Sequence, residues 1–453
     1  MNQVNELREI FQTGVTKTYH YRMKQLRALE QGIDAMQMEL AAALKYDLNK
    51  STFEAYFSEI SLIQAEIAHV KDHLHEWMKP KRVRPSLAQR PGKATVYRQP
   101  FGVVLIVSPW NYPLQLSLVP FIGALAAGNV CLLKPSGNAP ASAAVLQKLV
   151  KRYLDPRAYR VVTGGRDTHG TLLDERYDLI FFTGSTATGK VVMEKAAKHL
   201  TPVILELGGK SPAIIDDTAN LSQAIRRIVF GKLINSAQTC VAPDYLLVPE
   251  SMKQAVVREF ATQYEAMIPG ENYAREVLPQ IVNRKQYERL VDLLDQTTIL
   301  YEGRRSAAER RFELCVIEAD DTSPIMQEEI FGPILPIVTY QDRNEVIPHL
   351  QQREHPLALY LFSRDQAFTS QGIEQVEFGG GCINDTLMQL AGSNLPFGGV
   401  GHSGMGSYHG YHSYQSFSHQ KSILDKSSWF DLSIRYHPFR NPKRRLPHQV
   451  FLR

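Results

Sequence analysis

Apolar residues recur along this chain at two periods, and the period changes near residue 80. Before that point the spacing is helical: Phe53, Phe57, Ile60 and Ile63 follow one another at three- and four-residue steps until Lys79-Pro80 ends the run. Residues 1 to about 79 are therefore expected to be helices. A Pro- and Arg-rich link follows, then strand-like runs at 94–98 and 103–107, parted by Pro100-Phe101-Gly102. From Pro109 the two periods alternate, giving helices at 114–127, 141–153 and 187–199 and strands at 130–133, 159–162, 179–183 and 203–207. Short apolar strands interleaved with helices predict a parallel sheet covered on both faces. A second such stretch runs from about 209 to 381, with strands near 213–215, 245–248, 334–340 and 357–362. The remainder is Gly-rich at 396–406 and then reads as irregular, Tyr- and His-rich and basic.

Length and composition fit that picture. A chain of 453 residues exceeds one ordinary hydrophobic core, and 44% hydrophobic with 21% charged residues is a globular composition. The net charge of +5 has a location: Arg440, Lys443, Arg444, Arg445 and Arg453 crowd the segment after His437, and the other 46 cations balance 46 carboxylates. Such a tail is expected to be solvated or docked on a partner subunit; peripheral membrane contact through Trp429, Phe430 and the cations is the alternative. A basic tail can attract nucleic acid as well as anionic lipid, but no nucleic-acid partner is expected. The four cysteines (Cys131, Cys240, Cys315 and Cys382) are widely spaced, which argues against a zinc site or a disulfide framework. The N-terminus has no apolar signal core, and the longest apolar stretch, 116–127, is too short to span a membrane and contains Pro120. A cytoplasmic protein is expected.

Several short segments carry chemistry, each with a bland reading beside the functional one. Gly184 and Ser185 follow an apolar strand and open a helix, so their backbone N–H groups can meet a pyrophosphate, or they form an ordinary strand-to-helix turn. Cys240 in Gln238-Thr239-Cys240 is either a reactive thiol or a small buried hydrophobe. Glu206 lies 34 residues upstream, between an apolar strand and Gly208-Gly209, where a carboxylate is poorly solvated; a structural ion pair is the competing account. Asn111, held between Pro109 and Pro113, has an amide that can donate to an oxyanion or cap a turn. Lys134-Pro135-Ser136 stands at the end of a strand, where open parallel sheets bind nucleotides.

In chain order these segments resemble the aldehyde dehydrogenase superfamily. The motifs are Pro109-Trp110-Asn111-Tyr112-Pro113, Lys134-Pro135-Ser136, Phe182-Thr183-Gly184-Ser185 with Gly189, Glu206-Leu207-Gly208-Gly209-Lys210, Gln238-Thr239-Cys240, Glu328-Glu329-Ile330-Phe331-Gly332-Pro333 and Pro396-Phe397-Gly398-Gly399. They run to about Ser418, nearly the whole chain. The short N-terminus and the stretch from Leu395 to Gly410 are similar to class 3 members, associated with fatty and aromatic aldehydes.

The resemblance implies two doubly wound α/β domains with a small β oligomerisation element: a Rossmann-like cofactor domain at 1–208, with 80–98 contributing to oligomerisation, a catalytic domain at 209–393, and a C-terminal oligomerisation segment and basic tail at 394–453. It implies NAD or NADP as cofactor, an aldehyde as substrate and a homodimer. Cys240 would be the nucleophile, Asn111 an oxyanion donor and Glu206 the base that activates water. Lys134 and Glu329 would reach ribose hydroxyls, with Ser136, Gly137, Gly184, Ser185, Gly189, Leu207 and Phe331 also on the cofactor side. Tyr112 and Thr239 would line the substrate channel. Two positions depart from the family pattern: Ala237 stands where a glycine is common, and Gly137 stands where many relatives have a glutamate. An acylating enzyme that transfers to coenzyme A is the nearest rival, and Glu206 counts against it.

Overall fold

The computed structural model describes residues 3–431, 436 and 437, so the five cations of the basic tail lie outside the described residues. Two open sheets organise the rest. The first has six strands in the order Gly404–Met405, Val203–Glu206, Leu179–Thr183, Val103–Val107, Val130–Lys134, Tyr159–Val161. All pair in parallel except Gly404–Met405, which runs back against Val203–Glu206. Strands 103–107, 130–134 and 179–183 are buried at every position, which is why they read as unbroken apolar runs rather than alternating ones. After the Val103–Val107 strand the chain adds two strands on one side, then returns to place Leu179–Thr183 on the other. That reversal opens a crevice outside the carboxyl ends of the central strands.

The second sheet has seven strands in the order Thr298–Glu302, Cys315–Glu318, Ile334–Tyr340, Tyr245–Pro249, Pro212–Ile215, Ala358–Phe362, Gly380–Ile383, with only the Thr298–Glu302 edge antiparallel. Its two faces carry separate apolar clusters, with Ala213 and Ile215 in one and Ile214 in the other. The sequence pattern had missed the strands 298–302, 315–318 and 380–383. The apolar stretch ending at Ala127 is a core helix, Gln115–Ala127, buried everywhere but its first residue. Among the described residues no helix is long and apolar enough to cross a membrane.

Two expectations are corrected. The stripe Phe53, Phe57, Ile60, Ile63 does not keep to one face, because Tyr56–Ile60 forms a π-helical turn between the helices Thr52–Ala55 and Ser61–Trp77. The widened turn breaks the 3.6-residue phase. Ile60 and Ile63 enter the core, while Phe53 is 77% and Phe57 43% exposed. The chain after residue 406 is also not irregular. Gly410–Ser416 is a helix, and Ser418–Lys426 is a strand that pairs along the full length of Gly92–Pro100, from Ser418 opposite Pro100 to Lys426 opposite Gly92. With Lys81–Val83 these form a third, three-stranded antiparallel sheet. Tyr408, Tyr414 and Phe417 pack in the apolar cluster around the six-stranded sheet.

Candidate active site

Cys240 follows a backbone that L residues rarely adopt. The helix Leu221–Leu233 ends, and Asn235, Ser236 and Ala237 then take φ of 50°, 50° and 56°. Each left-handed residue costs about 1–2 kcal/mol without a glycine. Buried hydrogen bonds hold the turn. The Asn235 N–H donates to Glu54 Oε1 at 2.7 Å, and Asn235 Nδ2 donates to the Asn111 carbonyl at 2.9 Å and the Gln238 carbonyl at 3.0 Å. The Ser236 hydroxyl donates to the Pro279 carbonyl. Gln238 Nε2 donates to the Gln280 carbonyl, and Gln238 Oε1 accepts from the Val282 N–H. Burial pushes the Glu54 carboxyl up to about 7, against the pull of Lys50.

Asn111 and Tyr112 face this turn. Asn111 is buried, and its Nδ2 donates to the Gln238 carbonyl at 2.9 Å. That bond fixes which way the amide points, because the flipped amide would set oxygen against oxygen. An amide nitrogen has two protons, so one remains. The Tyr112 hydroxyl and Thr239 Oγ1 are 2.6 Å apart, which joins the two residues that the resemblance assigns to the substrate channel. Both line, with Cys240, an apolar pocket of about 310 Å³ walled by Phe57, Leu62, Leu116, Phe230, Ile234 and Leu387.

Three acidic groups meet here. Glu206 is buried at the end of its strand, pinned by Gly404 opposite it, and neither carboxylate oxygen has a hydrogen-bond partner. Desolvation raises its pKa well above the ordinary carboxylate range. Glu329 is raised too, by desolvation first and then by Asp244, against a hydrogen bond from the Gly209 backbone. Its carboxylate lies where a Cβ on Gly208 would come within 1.9 Å, so the missing side chain of Gly208 is what admits it there. The Cys240 thiol is pushed far up by burial, then by the charges of Glu329 and Glu206. The loop bearing Glu329 and Phe331 is clamped from below. Lys210 Nζ bonds Asp244 at 2.5 Å and the Ile325 and Glu328 carbonyls, the Ile330 N–H donates to Asp244, and Lys232 Nζ donates to the Gly332 carbonyl at 2.8 Å.

The crevice of the first sheet holds a cleft of about 850 Å³, lined by Lys134, Ser136, Gly137, Gly184 and Ser185 among others. A Cβ on Gly184 would meet the Phe182 ring at 2.6 Å. Ser185 caps the helix Thr186–Ala197, whose N-terminus opens on the cleft. Buried Lys134 donates to the Pro135 and Gly164 carbonyls at 2.9 and 2.8 Å, leaving a third proton. Trp110 lines the cleft and meets the Phe331 ring edge-on at 5.4 Å. Volume, helix terminus, lysine and glycine together suit a dinucleotide. Gly189 and Leu207 pack on each other, with a Cβ on Gly189 falling 2.8 Å from Leu207 Cδ2; like Glu329 and Phe331, they are not among the residues that line the cleft.

A thiol lining an apolar pocket, near a dinucleotide-type cleft and the Glu206 and Glu329 carboxyls, suits a nicotinamide-dependent oxidoreductase. Comparison with known proteins agrees: the aldehyde dehydrogenase family pattern matches residues 4–423, and the chain belongs to that family. It is 44% identical to the 4,4'-diaponeurosporen-aldehyde dehydrogenase of Staphylococcus aureus, over 95% of this chain and 94% of that one. It is 40% identical to human aldehyde dehydrogenase family 3 member B1, over 97% and 95% of the two chains. Among solved structures, the substrate-bound state of Staphylococcus aureus AldH superposes with a TM-score of 0.94 at 42% identity, covering 96% of each chain. The chain is thus an oxidoreductase of the aldehyde-oxidising, nicotinamide-dependent kind.

Sequence reasoning missed Lys50, Glu54, Glu59 and Asn235, which bind the two halves of the site together. The first three lie in the helical stretch before residue 80, where nothing in the periodicity marks a buried charge, and Asn235 lies in the turn after the helix Leu221–Leu233. Ala237 yields a stability prediction. Ala237→Gly removes the left-handed penalty of about 1–2 kcal/mol but adds about 0.5–1 kcal/mol of unfolded-chain entropy. A net gain of about 0–1.5 kcal/mol in urea denaturation is expected; a loss of about 1 kcal/mol means the turn is not left-handed at this residue.

Proposed function

We propose that this protein oxidises an apolar aldehyde to the carboxylic acid through a thioester on Cys240, with NAD or NADP as hydride acceptor. The observation that carries this reading is that Cys240 lines an apolar pocket while the Asn111 amide, with one proton left, is bonded to the Gln238 carbonyl two residues before it. The Cys240 sulfur, once it has lost its proton, attacks the aldehyde carbon. Asn111 Nδ2 and the Cys240 N–H donate to the oxyanion that forms. When bound in the cleft, the oxidised nicotinamide supplies the acceptor for the hydride that leaves this carbon. Lys134, Ser136, Gly137, Gly184, Ser185, Glu329 and Phe331 would hold the dinucleotide. Glu206, which has no hydrogen-bond partner to give up, takes a proton from water as that water attacks the thioester, and the acid leaves.

Cys240→Ala is expected to bind the nicotinamide cofactor but to fall below about a hundredth of wild-type kcat, the scale of a lost nucleophile. Glu206→Gln should give a rapid burst of reduced cofactor, stoichiometric with sites, before a slow steady state. Loss of that burst places Glu206 before hydride transfer, and a Cys240→Ala enzyme that turns over removes the mechanism altogether.

The cofactor prediction rests on Gly137. A carboxylate at this place would repel a 2′-phosphate in a partly dry pocket. Without it, Lys134 can give its third proton to such a phosphate, a charge-assisted bond of about 1.5–3 kcal/mol. NADP is expected to serve within about tenfold of NAD in kcat/KM. Gly137→Glu should suppress NADP. A Cβ here approaches the Gly164 carbonyl to 3.0 Å, so Gly137→Ala is needed to measure the backbone cost alone. A wild-type preference for NAD above about a hundredfold contradicts the idea, as does NADP use unchanged in Gly137→Glu.

A homodimer is the proposed assembly. Val83, Tyr97, Ile423 and Leu424 are exposed on the three-stranded sheet, and a ribbon of this kind needs a packing surface. Tyr97→Asp with Ile423→Asp should yield monomers in sedimentation at micromolar concentration, where wild type sediments as a dimer. A monomeric wild type ends the proposal. Truncation from Pro396 is unsuitable because it removes Tyr408, Tyr414 and Phe417 from the core.

A further inference from the structure

Lys50 and Glu59 have no exposed side-chain surface, and their charged atoms are 2.6 Å apart. A buried pair like this is a costly way to gain stability, since apolar residues of equal volume do as well or better. Its contacts suggest what it does instead. Lys50 Nζ also donates to the Asn111 carbonyl at 3.1 Å and lies 4.0 Å from the centre of the Tyr112 ring. The second oxygen of Glu59 accepts the Leu114 and Gln115 N–H groups at 2.8 and 3.1 Å, at the N-terminus of the helix Gln115–Ala127. One ion pair therefore grips the 111–115 segment at both ends. The Asn111 carbonyl it holds is the one that Asn235 Nδ2 bonds, and Asn111 Nδ2 bonds the Gln238 carbonyl, two residues before Cys240. The π-helical turn Tyr56–Ile60 contains Glu59, and it is also what sends Phe57 out to the pocket wall.

We propose that Lys50 and Glu59 are positioning residues for aldehyde oxidation: their buried ion pair fixes the Asn111–Tyr112 segment against the Asn235–Cys240 turn and so sets the distance between oxyanion donor and nucleophile. The inference rests on the roles given above to Cys240 and Asn111. Both charges of the pair are spent on each other, on the Asn111 carbonyl and on the Leu114 and Gln115 N–H groups, and neither residue lines the pocket, so neither is assigned contact with the aldehyde. Their contribution lies in the alignment of the groups that do, and a shift of about 1 Å in such a group can cost about a hundredfold in rate. Because the pair acts on a donor used when the oxyanion forms, its loss should slow hydride transfer more than it weakens aldehyde binding.

The test is the double variant Lys50→Met/Glu59→Gln, which removes both charges while glutamine keeps an acceptor for Leu114 and Gln115. Folding is judged by near-UV circular dichroism and thermal melting. With a folded variant, the expected result is a kcat about a hundredfold below wild type, an aldehyde KM within about threefold, and a pre-steady-state burst slowed in proportion to kcat. A folded variant whose kcat and burst rate stay within about threefold of wild type overturns the proposal and leaves the pair a purely structural one. Should the double variant not fold, Glu59→Gln alone decides by the same split: a slowed burst with KM retained supports positioning, and wild-type kcat overturns it. Activity in Cys240→Ala would instead overturn the thioester reading, so the two failures are separable.

Discussion

Three consecutive left-handed residues stand just before Cys240, and the site depends on what keeps them so. At about 1–2 kcal/mol each, their strain is comparable to a large part of a domain's net stability. The bonds that offset it come largely from outside the turn. Glu54 and Asn111 lie far before the turn in sequence, while the 279–282 segment that grips Ser236 and Gln238 lies after it. A turn held this way reaches its geometry only once both segments have docked on it. The strain is thus tied to a complete site, which is where strained backbone is usually found.

The same docking explains the unusual number of buried charges. Lys50 and Glu59 on one side, and Lys210 with Asp244 on the other, are ion pairs within hydrogen-bond distance, each spending its remaining donors or acceptors on backbone groups of a catalytic loop. Lys232, whose pKa burial lowers to about 8, does the same for the Gly332 carbonyl. Loops placed by apolar contact alone would tolerate sliding, because dispersion is non-directional. A charge bonded to a particular carbonyl does not slide without leaving that charge unpaired in low dielectric. Buried lysines therefore give this site a register that its apolar core cannot.

How far this was legible in the sequence depends on whether a feature was local. The strands 103–107, 179–183 and 334–340 stood out because a strand buried on both faces is an unbroken apolar run. Cys240, Glu206 and Asn111 stood out because short motifs surround them. The strand Ser418–Lys426 did not, since most of its residues are exposed and it exists by pairing with Gly92–Pro100, more than three hundred positions earlier. Phe53 and Phe57 misled because a π-helical turn changes the phase without changing composition. Gly189 read as part of a phosphate-binding turn, yet its lack of a side chain is used for helix-to-strand contact with Leu207. Lys50 and Glu59 are nine residues apart with no pattern linking them; only the folded chain brings Asn111 to the same place.

The acidic groups at the site carry one more consequence. Burial raises Glu206, Glu329 and the Cys240 thiol together, and ionised Glu206 and Glu329 each raise the thiol further. Groups coupled in this way titrate as a set, and the pocket resists holding several negative charges at once. On the mechanism proposed above, attack would require a charge on sulfur, which ionised Glu206 and Glu329 oppose. Once an acyl group stood on Cys240, the sulfur could no longer ionise and would drop out of the set. Forming the Glu206 carboxylate would then depend on its own desolvation, the cause that holds its pKa up. Water admitted beside it for the second half-reaction would lower that cost, so the same water would serve as reactant and as solvation for its base.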